Sequence, residues 1–166
     1  MSDILIINTG GTYNKYYNPI SGELLVDSSS NALDVIMKNW LCEFTVVSII
    51  GKDSLEFTQE DRELILQTIN KHKKIDKFIV IHGTDTMHIT ARFLDEGCKD
   101  KAIVLTGAMM PFSIEPIEAT ANFAMSYGFL LNCNTNGIYI CMNGKADNYT
   151  KVKKDKIHGL FVKTNK

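Results

Sequence analysis

The stretch FIVIHGTDTM, residues 78–87, joins a short apolar run to an abrupt polar turn. Residues 78–81 are aromatic or aliphatic throughout, which predicts a strand that is buried on both faces. Gly83, Thr84 and Asp85 then end the strand, and residues 85–94 are predicted to form a helix. A strand that passes through a tight turn into a helix is half of a βαβ unit, so this stretch indicates a parallel sheet.

The same order of elements repeats along the chain. Strands are predicted at residues 4–7, 44–50, 78–81, 102–105 and 137–142, and helices at residues 31–41, 58–70, 85–94 and 117–131. Thr58 is expected to cap the second helix, with Asp61 three residues later. The spacing fits right-handed crossovers and a sheet covered on both faces. The predicted fold class is therefore α/β, a three-layer, doubly wound, mostly parallel sheet, in a single domain over residues 1–166.

Two polar segments are predicted to lie outside this alternation. Residues 9–30 are expected to form a long loop, and long loops without regular structure are usually functional or mobile. The lysine-rich segment after the strand at 137–142 is expected to add at most a short strand at residues 159–162.

Composition excludes several classes of partner. The net charge of −1 argues against nucleic acid or an anionic membrane surface, because both select basic proteins. No apolar run approaches the length of a transmembrane helix. The four cysteines form no CxxC motif and no histidine pair has zinc spacing, so reduced thiols and no metal site are expected. Because no signal peptide precedes the first strand, we expect a cytoplasmic protein.

The segments that follow the predicted strands share an unusual chemistry. In open α/β sheets, ligands bind beyond the carboxyl ends of the strands. There the sequence places hydroxyls, glycines and charged groups: Thr9, Gly10, Gly11, Thr12, Asp53, Ser54, Gly83, Thr84, Asp85, Thr106, Gly107 and Lys151. A threonine becomes a nucleophile when a base takes its proton, and a Thr–Lys–Asp relay can supply that base. Amides of a glycine-rich turn can stabilise the oxyanion, so the pattern is typical of acyl transfer.

Each of these features also has a purely structural explanation. TGGT at residues 9–12 fits a tight turn or an anion site at a helix N-terminus. Thr84 fits a cap of the helix that follows it, and Ser54 fits a turn. Lys151 lies among other lysines and fits a solvated face. Patterns alone therefore leave a hydrolase and a small-ligand binder both open.

Three motifs together resemble a known family. TGGT at residues 9–12, HGTDTM at 82–87 and VLTGAM-P at 104–111, in this order and each at a strand end, are similar to the bacterial-type L-asparaginases. The resemblance covers residues 4 to about 162. It implies a Rossmann-like asparaginase N-terminal domain that hydrolyses L-asparagine, and often L-glutamine, to the acid and ammonia. It also implies that no metal and no organic cofactor is needed.

The resemblance assigns roles to residues of this chain. Thr12 matches the threonine nucleophile, and Tyr17 matches the tyrosine of a mobile loop that activates it. Thr84, Asp85 and Lys151 match the catalytic relay. Five further residues are expected to line the substrate: Gly11, Asp53, Ser54, Gly83 and Ala108. Of these, Ser54 matches the serine that binds the α-carboxylate, and Ala108 lies where the backbone meets the leaving amide; Asp85 also matches the aspartate that binds the α-amino group.

The sequence departs from the family at three points. Typical members are twice as long, and the C-terminal domain that helps bind substrate in their dimers is expected to be absent here. Met110 stands where the motif has arginine, and the stretch between Thr12 and Tyr17 is short. Because an active site at the edge of a sheet needs another part of the protein to shield it from solvent, we expect a homo-oligomer, most simply a dimer. Three alternatives remain: an ammonia-generating subunit of an archaeal-type tRNA amidotransferase, a non-catalytic amino-acid-binding module, and a fragment of a longer enzyme.

Overall fold

The computed structural model describes residues 4–164, which form a mixed sheet flanked by helices. The ten strands are β1 (Ile4–Gly10), β2 (Lys15–Asn18), β3 (Glu23–Val26), β4 (Thr45–Lys52), β5 (Lys77–Ile81), β6 (Ala102–Thr106), β7 (Gly137–Met142), β8 (Lys145–Asn148), β9 (Val152–Asp155) and β10 (Leu160–Lys163). Within residues 4–164 there are four α-helices, α1 (Asn31–Trp40), α2 (Gln59–Lys71), α3 (Met87–Gly97) and α4 (Pro116–Asn132).

The central sheet has six strands in the order β4-β1-β5-β6-β7-β8. The first five are parallel and β8 runs antiparallel to β7. Two separate hairpins, β2–β3 and β9–β10, lie outside this sheet. The predicted α/β class with a mostly parallel sheet is confirmed.

The middle strands explain why the sheet is covered on both faces. Every residue of β1 is buried, and alternate side chains enter two different cores. Leu5 and Ile7 pack with α2 and α3, whereas Ile4 and Ile6 pack with α1 and α4. Because successive strand residues point to opposite faces, one continuous apolar run supplies both cores. This produces the three predicted layers.

The start of α2 was correctly predicted from a local sequence signal, the cap at Thr58. Thr58 Oγ1 accepts a hydrogen bond from the Asp61 amide at 3.3 Å, and Asp61 Oδ2 accepts one from the Thr58 amide at 2.9 Å. This reciprocal pair is a capping box, which satisfies two amides at the helix start. Asp61 also forms an ion pair with Lys52 at 2.8 Å.

Two predictions about the polar segments are wrong. Residues 9–30 are not a structureless loop, because β2 and β3 pair within them, with Tyr16 opposite Leu25. The lysine-rich segment likewise forms three short strands, β8, β9 and β10, where one was expected. Two-stranded ribbons bury little of either face, so their sequences carry a weak period-two signal.

The third helix begins at Met87, two residues later than predicted, because Asp85 and Thr86 belong to the turn.

The structure shows the state of the cysteines and the character of the helices, for both of which composition gave expectations. The cysteines at positions 42, 98, 133 and 141 are all free thiols. None of the helices between residues 4 and 164 is long and apolar enough to cross a membrane.

The capping box gives a testable expectation about stability. Thr58→Ala should lower the free energy of unfolding by about 1 kcal/mol, because it removes one of the two reciprocal hydrogen bonds. Urea denaturation at constant pH measures the change. Gln67→Ala, on the exposed side of the same helix, is the control and should shift stability by less than about 0.5 kcal/mol. Equal losses in the two variants would contradict the cap's contribution.

Candidate active site

Three turns meet at the carboxyl ends of β1, β4 and β5, and two glycines allow the contact. A Cβ atom on Gly11 would lie 2.5 Å from the Gly83 nitrogen, and one on Gly83 would lie 2.6 Å from Ser54 Cβ. Gly11 also has φ of 74°, which disfavours a side chain. The turns that carry Thr12, Ser54 and Thr84 are therefore in direct contact, as predicted for a site at this edge of the sheet.

A single ammonium group joins two of the predicted catalytic side chains. Lys154 Nζ donates a hydrogen bond to Thr84 Oγ1 at 2.8 Å and one to Asp85 Oδ1 at 2.9 Å. Thr84 is buried, and the Lys154 side chain is only 14 % exposed. The Lys154 ammonium thus connects a buried hydroxyl with a partly exposed carboxylate, which is the order of groups that a Thr–Lys–Asp relay requires.

The prediction that Lys151 contacts Thr84 and Asp85 is wrong. Lys151 ends the short 3-10 turn before β9, its side chain is 57 % exposed, and its Nζ lies 4.0 Å from Asp147. Val152 is buried, and the period of two along β9 places Lys154 on the same face. Phe161, opposite Lys154 in β10, is buried as well. The signal that the sequence analysis did not use is the period of two between the apolar Val152 and Lys154, which indicates one face of a short strand.

Thr12 is available for chemistry. It begins a 3-10 turn, Thr12–Asn14, directly after Gly11, and is half-buried. Within residues 4–164 its hydroxyl makes no hydrogen bond, so no competing partner holds the oxygen. The next residue, Tyr13, is fully buried and its ring stacks on Phe112 at a centroid distance of 6.4 Å. Tyr13 therefore anchors the turn that presents Thr12.

Tyr17 is not among the groups that the structure brings together. It lies on β2 opposite Leu24, and its side chain is 57 % exposed. Its hydroxyl makes no hydrogen bond to any residue from 4 to 164. The role of Tyr17 stays a prediction, and it requires the hairpin to move toward Thr12.

Asp53 and Ser54 form a turn that is fixed from two sides. Thr86 donates to Ser54, from its amide to Oγ at 3.4 Å and from its hydroxyl to the carbonyl oxygen at 2.7 Å. Asp53 accepts hydrogen bonds from the Leu55 amide at 3.1 Å and from Lys15 Nζ at 2.6 Å. Partial burial alone would raise the pKa of Asp53, but the bonds from Lys15 and Leu55 hold it below its usual value. Asp53 is thus an ionised carboxylate that already has a partner.

A polar network on α4 holds the turn around Ala108. Glu118 accepts hydrogen bonds from the amides of Met109 and Met110, both at 2.9 Å. One turn along the helix, Asn122 Nδ2 donates to the Gly107 carbonyl oxygen at 2.9 Å. Ala108 is consequently buried in a turn whose backbone is fixed on both sides.

The same network reaches the hairpin that carries Lys154. Asn122 Oδ1 accepts from the Asn143 amide at 2.9 Å, and Asn143 Oδ1 accepts from the Phe161 amide at 3.0 Å. Sequence reasoning missed these residues. The available signal was a pair of polar residues four apart, Glu118 and Asn122, on the core side of a largely apolar helix.

His82 supports the HGTDT turn from inside the protein. Its Nδ1 lies 2.7 Å from the Gly83 carbonyl oxygen and its Nε2 lies 2.8 Å from Thr90 Oγ1. Since a carbonyl oxygen only accepts, Nδ1 carries the proton and Nε2 accepts from Thr90. Complete burial lowers the pKa of His82 to about 4, so the imidazole is neutral at pH 7. The expectation that His82 packs and hydrogen-bonds in the interior is confirmed.

Two cavities differ in their relation to these groups. One of about 690 Å³ lies between α1 and α4 and is lined mainly by apolar side chains such as Trp40 and Ile117. A smaller one of about 170 Å³ adjoins Thr84, Asp85 and Lys154. Of these two cavities, the smaller one has a hydroxyl, an amine and a carboxylate in its wall, and the larger one does not. In the part of the chain from residue 4 to 164, no group of three or more candidate ligands could hold a metal ion.

The buried imidazole predicts a loss of stability in acid. Unfolding raises the pKa of His82 from about 4 to about 6.5, so between these pH values the unfolded chain binds more protons. The stabilisation is complete above about pH 6.5 and disappears as the pH falls to about 4. A full shift of this size corresponds to about 3 kcal/mol.

Urea denaturation of the wild type and His82→Gln at a series of pH values isolates this contribution from that of the carboxylates. The difference in unfolding free energy between the two proteins should shrink as the pH is lowered. A difference that does not change with pH would contradict a buried neutral imidazole.

Comparison with known proteins places the geometry in context. The family model for the N-terminal domain of asparaginase matches residues 3–160. The chain is 30 % identical over 158 residues to a probable periplasmic L-asparaginase of Haemophilus influenzae, covering 88 % of this chain and 44 % of that protein. It is 26 % identical over 151 residues to L-asparaginase 1 of Escherichia coli, covering 86 % and 44 %.

Solved structures agree with these relatives. The thermostable L-asparaginase of Thermococcus kodakarensis superimposes with a TM-score of 0.80 at 25 % identity, covering 98 % of this chain and 51 % of that one. A probable cytoplasmic L-asparaginase of Campylobacter jejuni gives a TM-score of 0.78 at 26 % identity, with 96 % and 51 % covered. The chain spans about half the length of the relatives it matches.

Proposed function

The chain belongs to the asparaginase family, and we propose that it hydrolyses the side-chain amide of L-asparagine to L-aspartate and ammonia. The observation that supports this most directly is the contact of Lys154 with both Thr84 and Asp85, on a turn that packs against Gly11. Binding of an amino acid alone does not need both threonines and the lysine. An acyl-transfer enzyme uses that arrangement to take and return a proton.

The proposed reaction has two steps. Thr12 Oγ attacks the amide carbon, its proton passes to the leaving nitrogen, and ammonia departs from an acyl-enzyme ester. Water then attacks the ester carbon, and its proton passes by way of Thr84 Oγ1 to Lys154. That proton returns from Lys154 to Thr12 Oγ as the ester C–O bond breaks, which restores the hydroxyl and releases L-aspartate. Amides in the turns after β1 and β5 stabilise the oxyanion in both steps.

The substrate is a zwitterion, and the proposed contacts follow its charges. Ser54 binds the α-carboxylate, and Asp85 binds the α-amino group. The backbones of Gly11, Gly83 and Ala108 line the side-chain amide. Asp53 and Asp85 each have a lysine partner, but only Asp85 of the two lines the smaller cavity, so Asp85 is the carboxylate proposed to receive the cation.

Two further parts of the proposal concern the whole assembly. Tyr17 reaches Thr12 when the β2–β3 hairpin closes, which excludes water from the site. A second copy of the chain covers the open edge of the sheet, so the active form is a homodimer. Light scattering of the active fraction tests this point, and a monomer that turns over L-asparagine would overturn it. The cytoplasmic location stays a prediction, since the matched proteins are named as both periplasmic and cytoplasmic.

Replacing each of the two lysines separates the corrected assignment from the original one. Lys154→Met and Thr12→Ala should each reduce ammonia release from L-asparagine on the order of a thousandfold or more, because each removes a group that acts in the transition state. Lys151→Met should change the rate by less than about twofold, since it removes only an exposed side chain. Thermal unfolding of each variant shows that it is folded.

The same assay discriminates the alternatives. Binding of L-asparagine without turnover by the wild type would indicate an amino-acid-binding module. Turnover of L-glutamine alone would favour the ammonia-generating subunit. A large loss in Lys151→Met together with an active Lys154→Met would overturn the relay.

A further inference from the structure

The β2–β3 hairpin is fixed to the protein at its root. The Asp27 amide donates to the Asn14 carbonyl oxygen at 2.9 Å, and the Asn14 side chain donates to Asn8 Oδ1 at 2.7 Å. Tyr13, which precedes Asn14, is fully buried. The root is therefore part of the core.

The tip of the hairpin has no comparable support. Tyr17, Leu24 and Ile20 are 57 %, 47 % and 94 % exposed. In the described part of the chain, the side chain of Asn18 bonds only to the amides of Ile20 and Ser21 within the same turn. Among residues 4–164, no hydrogen bond or ion pair joins the tip to a segment outside the hairpin.

Between the root and the tip, Lys15 makes the contacts that join the hairpin to other segments. Its Nζ lies 2.6 Å from Asp53 Oδ2, and its carbonyl oxygen accepts a hydrogen bond from Ser113 Oγ at 2.7 Å. The side chains of Lys15 and Asp53 are 22 % and 26 % exposed, so the pair is shielded compared with Lys151 and Asp147 at 57 % and 29 %. A shielded pair is weakened less by salt and solvent.

We infer that Lys15 is a positioning residue that fastens the β2–β3 hairpin to the turn of Asp53 and Ser54. The two carboxylate oxygens of Asp53 have different partners. Oδ1 accepts from the Leu55 amide and shapes the turn, while Oδ2 receives the ammonium of Lys15. Since Ser54 packs on Gly83, the position of the hairpin is coupled to the turn that carries Thr84.

The ion pair also has an electrostatic consequence, which rests on the proposed function. Ser54 is proposed to bind the α-carboxylate of the substrate, and Asp53 is its neighbour in sequence. An Asp53 carboxylate without Lys15 would repel that anion. Lys15 therefore acts on substrate binding through Asp53, without touching the reacting atoms.

Hydrogen exchange tests the positioning role without requiring activity. In Lys15→Met, amides of residues 15–27 should exchange roughly tenfold faster than in the wild type, because local opening becomes easier. Lys15→Arg keeps the charge and should restore most of the protection. Lys151→Met removes an exposed ion pair of the same type and is the matched control. Unchanged exchange in α2 and α4 shows that the fold is intact.

Asp53→Asn supplies the second arm. It should loosen residues 15–27 as much as Lys15→Met does, and the double variant should add little, because both changes remove the same contact. Exchange in Lys15→Met that matches the wild type, or effects of the two single variants that add fully, would overturn the positioning role.

The electrostatic part is read from kinetics. Lys15→Met should raise KM for L-asparagine roughly tenfold with kcat changed by less than about threefold, and Asp53→Asn in the same chain should recover part of the KM. A lower kcat with unchanged KM would overturn this part. If the wild type releases no ammonia, the proposed function fails, whereas the exchange result still decides the positioning role.

Discussion

The contact between the turns after β1 and β5 is the constraint on which the rest of the site depends. Gly11 and Gly83 lie so close that neither position has room for a side chain. Their contact sets the separation of the two threonine-bearing turns, and Ser54 packs on the other side of Gly83. Three loops from different parts of the sequence thus behave as one rigid layer above the sheet. A site made in this way has little freedom to rearrange, so its geometry is established by folding itself.

Two lysine–aspartate ion pairs involve these turns. Lys15 neutralises Asp53, and Lys154 contacts Asp85, so each carboxylate has an ammonium partner. One pair joins the Asp53 turn to the β2–β3 hairpin, and the other joins the Asp85 turn to β9. A small zwitterion entering such a site meets no large net charge, and its orientation depends on which group each of its ends can reach.

Much of the fold could be predicted because the core strands carry strong local signals. The run at 78–81 and the cap at Thr58 each indicate one structure. The two ribbons were missed because they bury few side chains, and their pairing is decided by the protein around them. The strand-end turns were found for the same reason that the sheet was, since a parallel sheet gathers its carboxyl ends at one edge. Glu118 and Asn122 were missed because most of their partners are backbone amides and carbonyls, which the sequence does not reveal, so their i, i+4 spacing was the only signal.

The choice between neighbouring lysines has a consequence for how the chemistry is specified. Lys153 and Lys154 are adjacent and chemically identical, yet only one of them lies on the buried face of β9. The ribbon is held in register by Phe161 in its partner strand, whose amide is bound by Asn143. A register shift of one residue in β9 would place Lys153 instead of Lys154 on the buried face, and Thr84 would lose its contact with the amine. The parity of a four-residue strand thus decides which lysine contacts Thr84, and Asn143, which does not line the smaller cavity, stabilises that register.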